Sequence, residues 1–353
     1  MRRRTFVTIS AAAIVGSGIP ARAGTVSKNY GIAWTSIPNR INQARQRDPN
    51  RRPPVAAAEF IELCHSYGAG VTQMGFDQLV STEPDYLRGI RRMLDDREMV
   101  LELGVNARAL ESEESFAPIV AAARILGVER LRLACLSGRR YETFSEMKSW
   151  QEFAAHWKQV MRSAEPMLRK NRLRAGIENH KDWLADELVG ILKSVSSPYL
   201  GACIDFGNNL SLLEDSLEVA RKLAPYVVTT HLKDMAVRSD ENGFELSEVR
   251  LGAGMTPLRE IIAVLRKSRR DVPIVLEMIT RDPLKVPYKT DRYWVTYPNR
   301  DTERIERFER TVLSRGWTTP LPHVSNLTTV EALKQENDNL GYCSEYARNI
   351  LKV

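Results

Sequence analysis

The sequence predicts an α/β fold, a (β/α)8 barrel in a single domain, on three observations. Short runs of apolar and β-branched residues alternate with longer segments of helical periodicity, and the alternation repeats eight times. Acids and a histidine stand at the ends of successive apolar runs in the second half of the chain, the position where barrels carry their polar working residues. No glycine-rich dinucleotide or phosphate fingerprint follows the first run, which argues against an open, doubly wound sheet.

Taken in order, the apolar runs place strands at Gly31–Ser36, Gly70–Phe76, Met99–Asn106, Arg130–Leu136, Leu173–Asn179, Leu200–Phe206, Val227–Lys233 and Pro273–Met278. Helical periodicity follows each of them, over Ala56–Tyr67, Pro84–Arg97, Phe116–Leu126, Ser145–Arg169, Leu184–Val195, Leu213–Leu223, Pro257–Lys267 and Thr302–Ser314. Two connections, Met235–Arg250 and Thr280–Arg300, exceed the usual few residues, and long loops on this face of a TIM barrel cover substrate. The second contains Tyr288, Arg292, Tyr293, Trp294 and Tyr297, which read equally well as a surface for a sugar face and as packing on the rim. Leu251-Gly252-Ala253-Gly254 reads as a turn before the seventh helix, and Ser325–Val353 as a helical tail closing the outer ring. The barrel is thus assigned to residues 24–317 and a C-terminal helical extension packing on it to 318–353.

Residues 1–23 have the form of a signal peptide: a basic Arg2-Arg3-Arg4, the apolar run Ile9 to Ile19, and Ala21-Arg22-Ala23 as a small-x-small cleavage site. Arg3-Arg4-Thr5-Phe6-Val7 is similar to the twin-arginine export consensus, which predicts a periplasmic or secreted protein that folds and takes up any metal before export. Without the four leader arginines the net charge falls from +7 to +3, too little and too dispersed for a nucleic-acid partner. No later run of about 18 apolar residues is present, so no membrane span is expected. Cys64, Cys135, Cys203 and Cys343 show no metal-like spacing and no required pairing. The sequence leaves homo-oligomerisation open.

The chemistry lies at the strand ends. Ala175-Gly176-Ile177-Glu178-Asn179-His180 closes the fifth strand and Ile204-Asp205-Phe206-Gly207-Asn208 the sixth; His231-Leu232-Lys233-Asp234 closes the seventh and Ile274-Val275-Leu276-Glu277 the eighth. Four consecutive strands then deliver Glu178, Asp205, His231 and Glu277 into one barrel mouth. Three carboxylates and one imidazole suit one divalent metal ion, Mn²⁺ or Mg²⁺ first, with Zn²⁺ or Co²⁺ tolerated. Strand alternation turns Lys233 the same way as His231, and His180 the same way as Glu178. Lys233, His180 and Asn208 are therefore candidate substrate-binding residues. Glu102 reads as the buried partner of a barrel arginine, and Trp34 and Gln73 as weaker candidates for the pocket lining.

These motifs resemble the sugar phosphate isomerase/epimerase family of xylose-isomerase-like barrels, over nearly all of the chain that follows the leader. The resemblance implies that Glu178, Asp205, His231 and Glu277 bind the metal and that Glu178 and Glu277 are the catalytic acid and base. The chain departs from the ketose 3-epimerases of that family at Asn208, where they carry histidine, and at Val237, where they carry a substrate-binding arginine. His-x-Lys-Asp is closer to the dehydratase and inosose-type members.

The expected activity is that of a metal-dependent isomerase or epimerase acting on a sugar or polyol. It removes a proton α to a carbonyl while the ion neutralises the enediolate charge. The alternative is a lyase that carries the same first step on to β-elimination from a keto sugar or 3-keto glycoside. A trinuclear nuclease of the same superfamily would need more histidines than the five present, and a binding protein has no use for two metal-bound proton carriers.

Overall fold

Eight parallel strands close on themselves in the computed structural model, which describes residues 26–353. The expected leader, residues 1–23, lies outside the described residues. The barrel strands are β1 (Ser27–Ala33), β2 (Ala69–Gly75), β3 (Val100–Asn106), β4 (Arg130–Ala134), β5 (Arg174–Glu178), β6 (Leu200–Asp205), β7 (Val227–His231) and, after an excursion, β10 (Ile274–Leu276). Their order is β10-β1-β2-β3-β4-β5-β6-β7. Leu232 closes the ring by pairing with Leu276, its N–H donating to Val275 O at 2.6 Å and its carbonyl accepting from Glu277 N at 2.9 Å. The expected strands are all present. Most stop one to three residues sooner than the apolar runs, because the backbone leaves the ladder where the polar side chains begin.

The two long connections are not loops. Asp234–Ser239 (β8) and Phe244–Val249 (β9) form an antiparallel hairpin, and Leu284–Val286 (β11) pairs antiparallel with β9, giving a three-stranded sheet in the order β11-β9-β8. One face of this sheet carries Val237, Phe244, Leu246 and Val286, which pack with Tyr288, Tyr293, Trp294, Tyr297, Phe308 and Val312 into a core distinct from that of the barrel. At about 1.5–3 kcal/mol for each large apolar side chain buried, this core makes the covering layer a structured part of the fold. It also resolves the two readings of the aromatic segment. Tyr293 is fully buried, Trp294 and Tyr297 nearly so, and Arg292 donates to the backbone carbonyls of Phe144 and Glu142, so these residues pack on the rim and do not present a sugar platform.

The turn at Leu251–Met255 is anchored by Asp234, whose carboxylate accepts from the N–H groups of Gly252 (2.8 Å), Gly254 (3.0 Å) and Thr256 (3.0 Å). Gly254 is required here, since a Cβ would stand 2.2 Å from Asp234 Oδ1. The C-terminal helix, Thr329–Tyr346, packs on the barrel: Ser344 Oγ meets the Tyr30 hydroxyl of β1 at 2.8 Å. Its Glu336 accepts from the N–H groups of Asn39 and Arg40 at 2.7 and 3.0 Å and so caps a helix, Pro38–Arg47, that the sequence did not predict. All four cysteines are free, and among the described residues no helix is long and apolar enough to cross a membrane.

Candidate metal centre

The barrel strands end on the residues of interest. Glu178, Asp205 and His231 are the last residues of β5, β6 and β7, and Glu277 directly follows β10. Asp205 is in register with His231, and each of the four residues offers one ligand atom within 4.8 Å of all the others. None is more than 3% exposed, so their charges must be balanced inside the protein and not by water.

Hydrogen bonding fixes the imidazole. His231 Nε2 lies 2.7 Å from Gln73 Oε1, while the Gln73 amide N–H donates to Glu102 Oε2 at 3.1 Å, so the Gln73 oxygen must be the acceptor and Nε2 the donor. Glu102 also accepts from the Thr229 hydroxyl at 2.6 Å. His231 Nδ1 is left facing Glu178 Oε1 at 3.3 Å, Glu277 Oε1 at 3.4 Å and Asp205 Oδ2 at 3.7 Å. His231 Nδ1 has no hydrogen-bond partner although it is shut away from solvent, and the only cation on Asp205 Oδ2 among the described residues is the Lys233 ammonium at 2.9 Å. A lone pair aimed at three carboxylates is repulsive unless a cation stands between them. Burial alone would lower the His231 pKa, but Glu277 and Glu178 raise it to about 9, so the cluster calls for positive charge at this point. The unpartnered, directed nitrogen and the three carboxylate oxygens around it fit a divalent ion with mixed O/N ligands.

The remaining oxygens are held by surrounding residues. Thr35 Oγ1 donates to Glu277 Oε1 at 2.7 Å, and the Arg132 guanidinium of β4 donates through Nε to Glu178 Oε2 at 2.5 Å. Burial would raise the Glu178 carboxyl, yet Arg132 and His231 outweigh it and hold it well below the usual carboxylate range. Glu277 is lowered in the same way, by His231 and Lys233 acting against burial. Lys233 Nζ stands 2.9 Å from Asp205 Oδ2 and touches Glu277 Oε2. It lies 3.9 Å from Glu248 on β9, which in turn pairs with Arg281 at 2.5 Å.

Lys233 therefore reaches the cluster, as strand alternation predicts. Asn208 reaches it too: its amide donates to Glu178 Oε1 at 3.0 Å. His180 does not touch the four ligand atoms. Its Nδ1 donates to Leu136 O at 2.8 Å, and burial holds its pKa down at about 4, so it is neutral. His180 lies close enough to Glu178 to lower its carboxyl but is drawn to the Leu136 carbonyl beyond the end of β5, whereas Leu232 continues the β7 ladder by pairing with Leu276 and carries Lys233 into the centre. Glu102 has the arginine neighbour expected of it, Arg130 Nε at 3.9 Å, whereas Trp34 packs edge-on against Phe60 at 5.0 Å.

Four site residues have no place in the sequence reading. Arg132 had a signal, the Arg-Leu-Arg-Leu alternation of β4 that turns two arginines to one face. Lys181 lies in the polar run that follows β5; burial, with Lys233 nearby, lowers its pKa to about 8. Glu248 and Arg281 belong to the covering layer, where no periodicity marked them.

Residues 48–297 match the family described as Xylose isomerase-like TIM barrel. A curated relative, 3-oxo-isoapionate decarboxylase of Pectobacterium atrosepticum, is 26% identical over 238 residues, covering 67% of this chain and 81% of the relative. Among solved structures, a D-psicose 3-epimerase crystallised in the presence of D-fructose superposes with a TM-score of 0.59 at 14% identity, covering 92% of this chain and all of that one. A xylose isomerase-like protein of Mycobacterium smegmatis, in complex with magnesium, superposes at 0.55 with 15% identity, covering 80% of this chain and 97% of that one. At such identities the structural likeness speaks to the fold.

Proposed function

The chain belongs to the Xylose isomerase-like TIM barrel family, and from that premise we propose that it is a metal-dependent enzyme moving a proton at the carbon beside a carbonyl of a sugar-like substrate, as an isomerase or epimerase. Glu178, Asp205, His231 and Glu277 would hold the ion, Mn²⁺ or Mg²⁺ by the hardness of the donor set. When bound, the ion supplies Lewis-acid neutralisation of the negative charge that develops on the substrate oxygen.

The observation that carries the proposal is the disposition of the two glutamates. Each turns one oxygen toward His231 Nδ1, at 3.3 and 3.4 Å, while its other oxygen lies against a cation, Arg132 for Glu178 and Lys233 for Glu277. That arrangement keeps both carboxylates charged and able to accept a proton. They approach the centre from β5 and from the end of β10, on either side of His231, so one can take a proton from a carbon and the other return one to its opposite face, inverting the centre. One glutamate carrying the same proton to the neighbouring carbon gives isomerisation. Lys233 and Asn208 are placed to hold substrate oxygens, and His180 borders the mouth as a neutral imidazole.

A second reading, a lyase, has support of its own. The Pectobacterium relative is a decarboxylase, and loss of CO₂ from a 3-oxo acid leaves the same charge on the same kind of oxygen as proton removal does. The Lys233 ammonium, in contact with Glu277, is placed to protonate a departing oxygen if the reaction is instead a β-elimination. The leader, read as an export signal, supports a substrate met outside the cytoplasm.

Incubating the Mn²⁺-loaded protein in deuterated water with ketoses, 3-keto glycosides and 3-oxo sugar acids, followed by NMR, tests both. Deuterium entering at one carbon with no group lost supports the epimerase or isomerase. Loss of water, a glycoside or CO₂ supports the lyase. Absence of any turnover across the panel, with no difference on adding a chelator, overturns the proposal.

A further inference from the structure

One cation beside the centre has no counter-ion. Lys181 is 5% exposed, and among the described residues no carboxylate oxygen lies within 4.0 Å of its ammonium. Its acidic neighbour in sequence, Asp182, is turned away, its Oδ1 accepting from the N–H groups of His180 and Trp183. The Lys181 ammonium instead donates to Asn208 Oδ1, and the same oxygen is approached by Lys233 Nζ at 3.5 Å. Two buried ammonium groups thus share one neutral amide oxygen, whose N–H side is committed to Glu178. This is an expensive arrangement for an interior, since a buried cation needs a full negative charge close by. The backbone is strained to achieve it: Lys181 has φ of +63°, a left-handed conformation that a residue with a long side chain seldom adopts.

The formal charges agree. Glu178, Asp205, Glu277 and Glu248 stand against Arg132, Lys181, Lys233 and Arg281, so a divalent ion among the ligands leaves positive charge over. Arg132, Lys233 and Arg281 each contact a carboxylate, so Lys181 is the group left without a partner.

We infer that Lys181, Asn208 and Lys233 form an anion subsite beside the metal centre and that the substrate is a sugar acid, whose carboxylate bridges the two ammonium groups. The assignment rests on the metal-centre reading above for its position and extends that reading to a substrate class. A carboxylate suits the site better than a phosphate ester. The donors are two ammonium groups and no cradle of backbone N–H groups is present among them, whereas phosphate sites draw heavily on such N–H groups.

The test compares acids with their reduced counterparts, which differ only in carrying a carboxylate or a hydroxymethyl group. Isothermal titration of the Mn²⁺-loaded full chain with D-gluconate against D-glucitol, and D-erythronate against erythritol, is expected to show the acid bound roughly tenfold or more tightly. Lys181→Met should remove most of that preference, and Lys181→Arg should keep part of it. D-glucitol 6-phosphate forms a separate arm. Equal affinity for acid and alcohol, no binding by either acid, an unchanged preference in Lys181→Met, or tighter binding of the phosphate ester than of gluconate each overturns the inference. The comparison on the parent protein holds even if Lys181→Met does not fold. Titrating Mn²⁺ into the same samples keeps the two levels apart: failure to bind Mn²⁺ undoes the metal-centre reading, while Mn²⁺ binding without preference for the acid undoes the anion subsite alone.

Discussion

Replacing Gln73 by leucine tests whether His231 is held as a metal ligand. Gln73 is 4% exposed and lies between His231 Nε2, at 2.7 Å, and Glu102 Oε2, at 3.1 Å. Leucine fills much of the same volume but offers no acceptor, so the Nε2–H of His231 loses its partner and the proton is free to move to Nδ1, the atom facing the three carboxylates. Leaving a buried donor unpaired costs about 1–3 kcal/mol. Only the part that differs between the loaded and unloaded states appears in metal affinity, and loss of such an orienting partner typically weakens a site by about 10- to 100-fold, or ~1.4–2.7 kcal/mol. Titration with Mn²⁺, reading the free ion by electron paramagnetic resonance, should show one site whose dissociation constant rises by that factor. Gln73→Glu, which restores an acceptor, should lose less. An affinity in Gln73→Leu within about twofold of the parent would mean that the Gln73–His231 bond is structural only and does not hold the imidazole for a metal.

Three other perturbations follow from the structure. Glu277→Gln removes one of the two proposed proton carriers, and deuterium entry into substrate should drop by about 10²- to 10⁴-fold while the melting temperature changes little, as NMR and calorimetry would show. Phe244→Ala empties a fully buried position in the covering layer at a cost of about 3–5 kcal/mol; hydrogen exchange should then rise in β8, β9 and β11 and stay low in β2 to β6. Burial pushes the Glu336 carboxyl up from 4.5 to about 7, so the folded chain holds this proton more tightly than the unfolded chain does. The resulting stabilisation is complete below pH 4.5 and is lost as pH rises through 7, at most about 3 kcal/mol, so the melting temperature of the parent should fall relative to Glu336→Gln across that window. Parallel curves for the two proteins would count against it.

The centre was legible because a barrel converts a one-dimensional mark, a polar residue at the end of an apolar run, into a position at one mouth. Glu178, Asp205, His231 and Glu277 each carry that mark, and the register of β6 on β7 brings Asp205 and His231 side by side. The same logic placed Lys233, which the Leu232–Leu276 pairing keeps in line with β7, and brought His180 beside Glu178 without a bond to the four ligand atoms. The covering layer was not legible. β8 begins three residues after His231, with Leu232 and Lys233 between, and β8 and β9 mix Asp, Arg, Ser and Glu with their apolar residues, so although Asn242-Gly243 marks the turn between them no clean alternation flanks it. Glu248 and Arg281 were hidden with it. The aromatic residues from Tyr288 to Tyr297 have a composition common to sugar platforms and to small cores, and only the closing of β11 on β9 decides between them. Helix Pro38–Arg47 buries no residue, so it has no apolar stripe to announce it; its N-terminus is held instead by Glu336, almost three hundred residues away in sequence.

Diffraction from Mn²⁺-soaked crystals at the manganese edge would register directly whether one cation sits among Glu178, Asp205, His231 and Glu277. A single anomalous peak is expected within bonding distance of His231 Nδ1 and one oxygen from each of the three carboxylates, with Lys233 moved off Asp205. A peak elsewhere, or none at these four residues while Lys233 keeps its place, would contradict it.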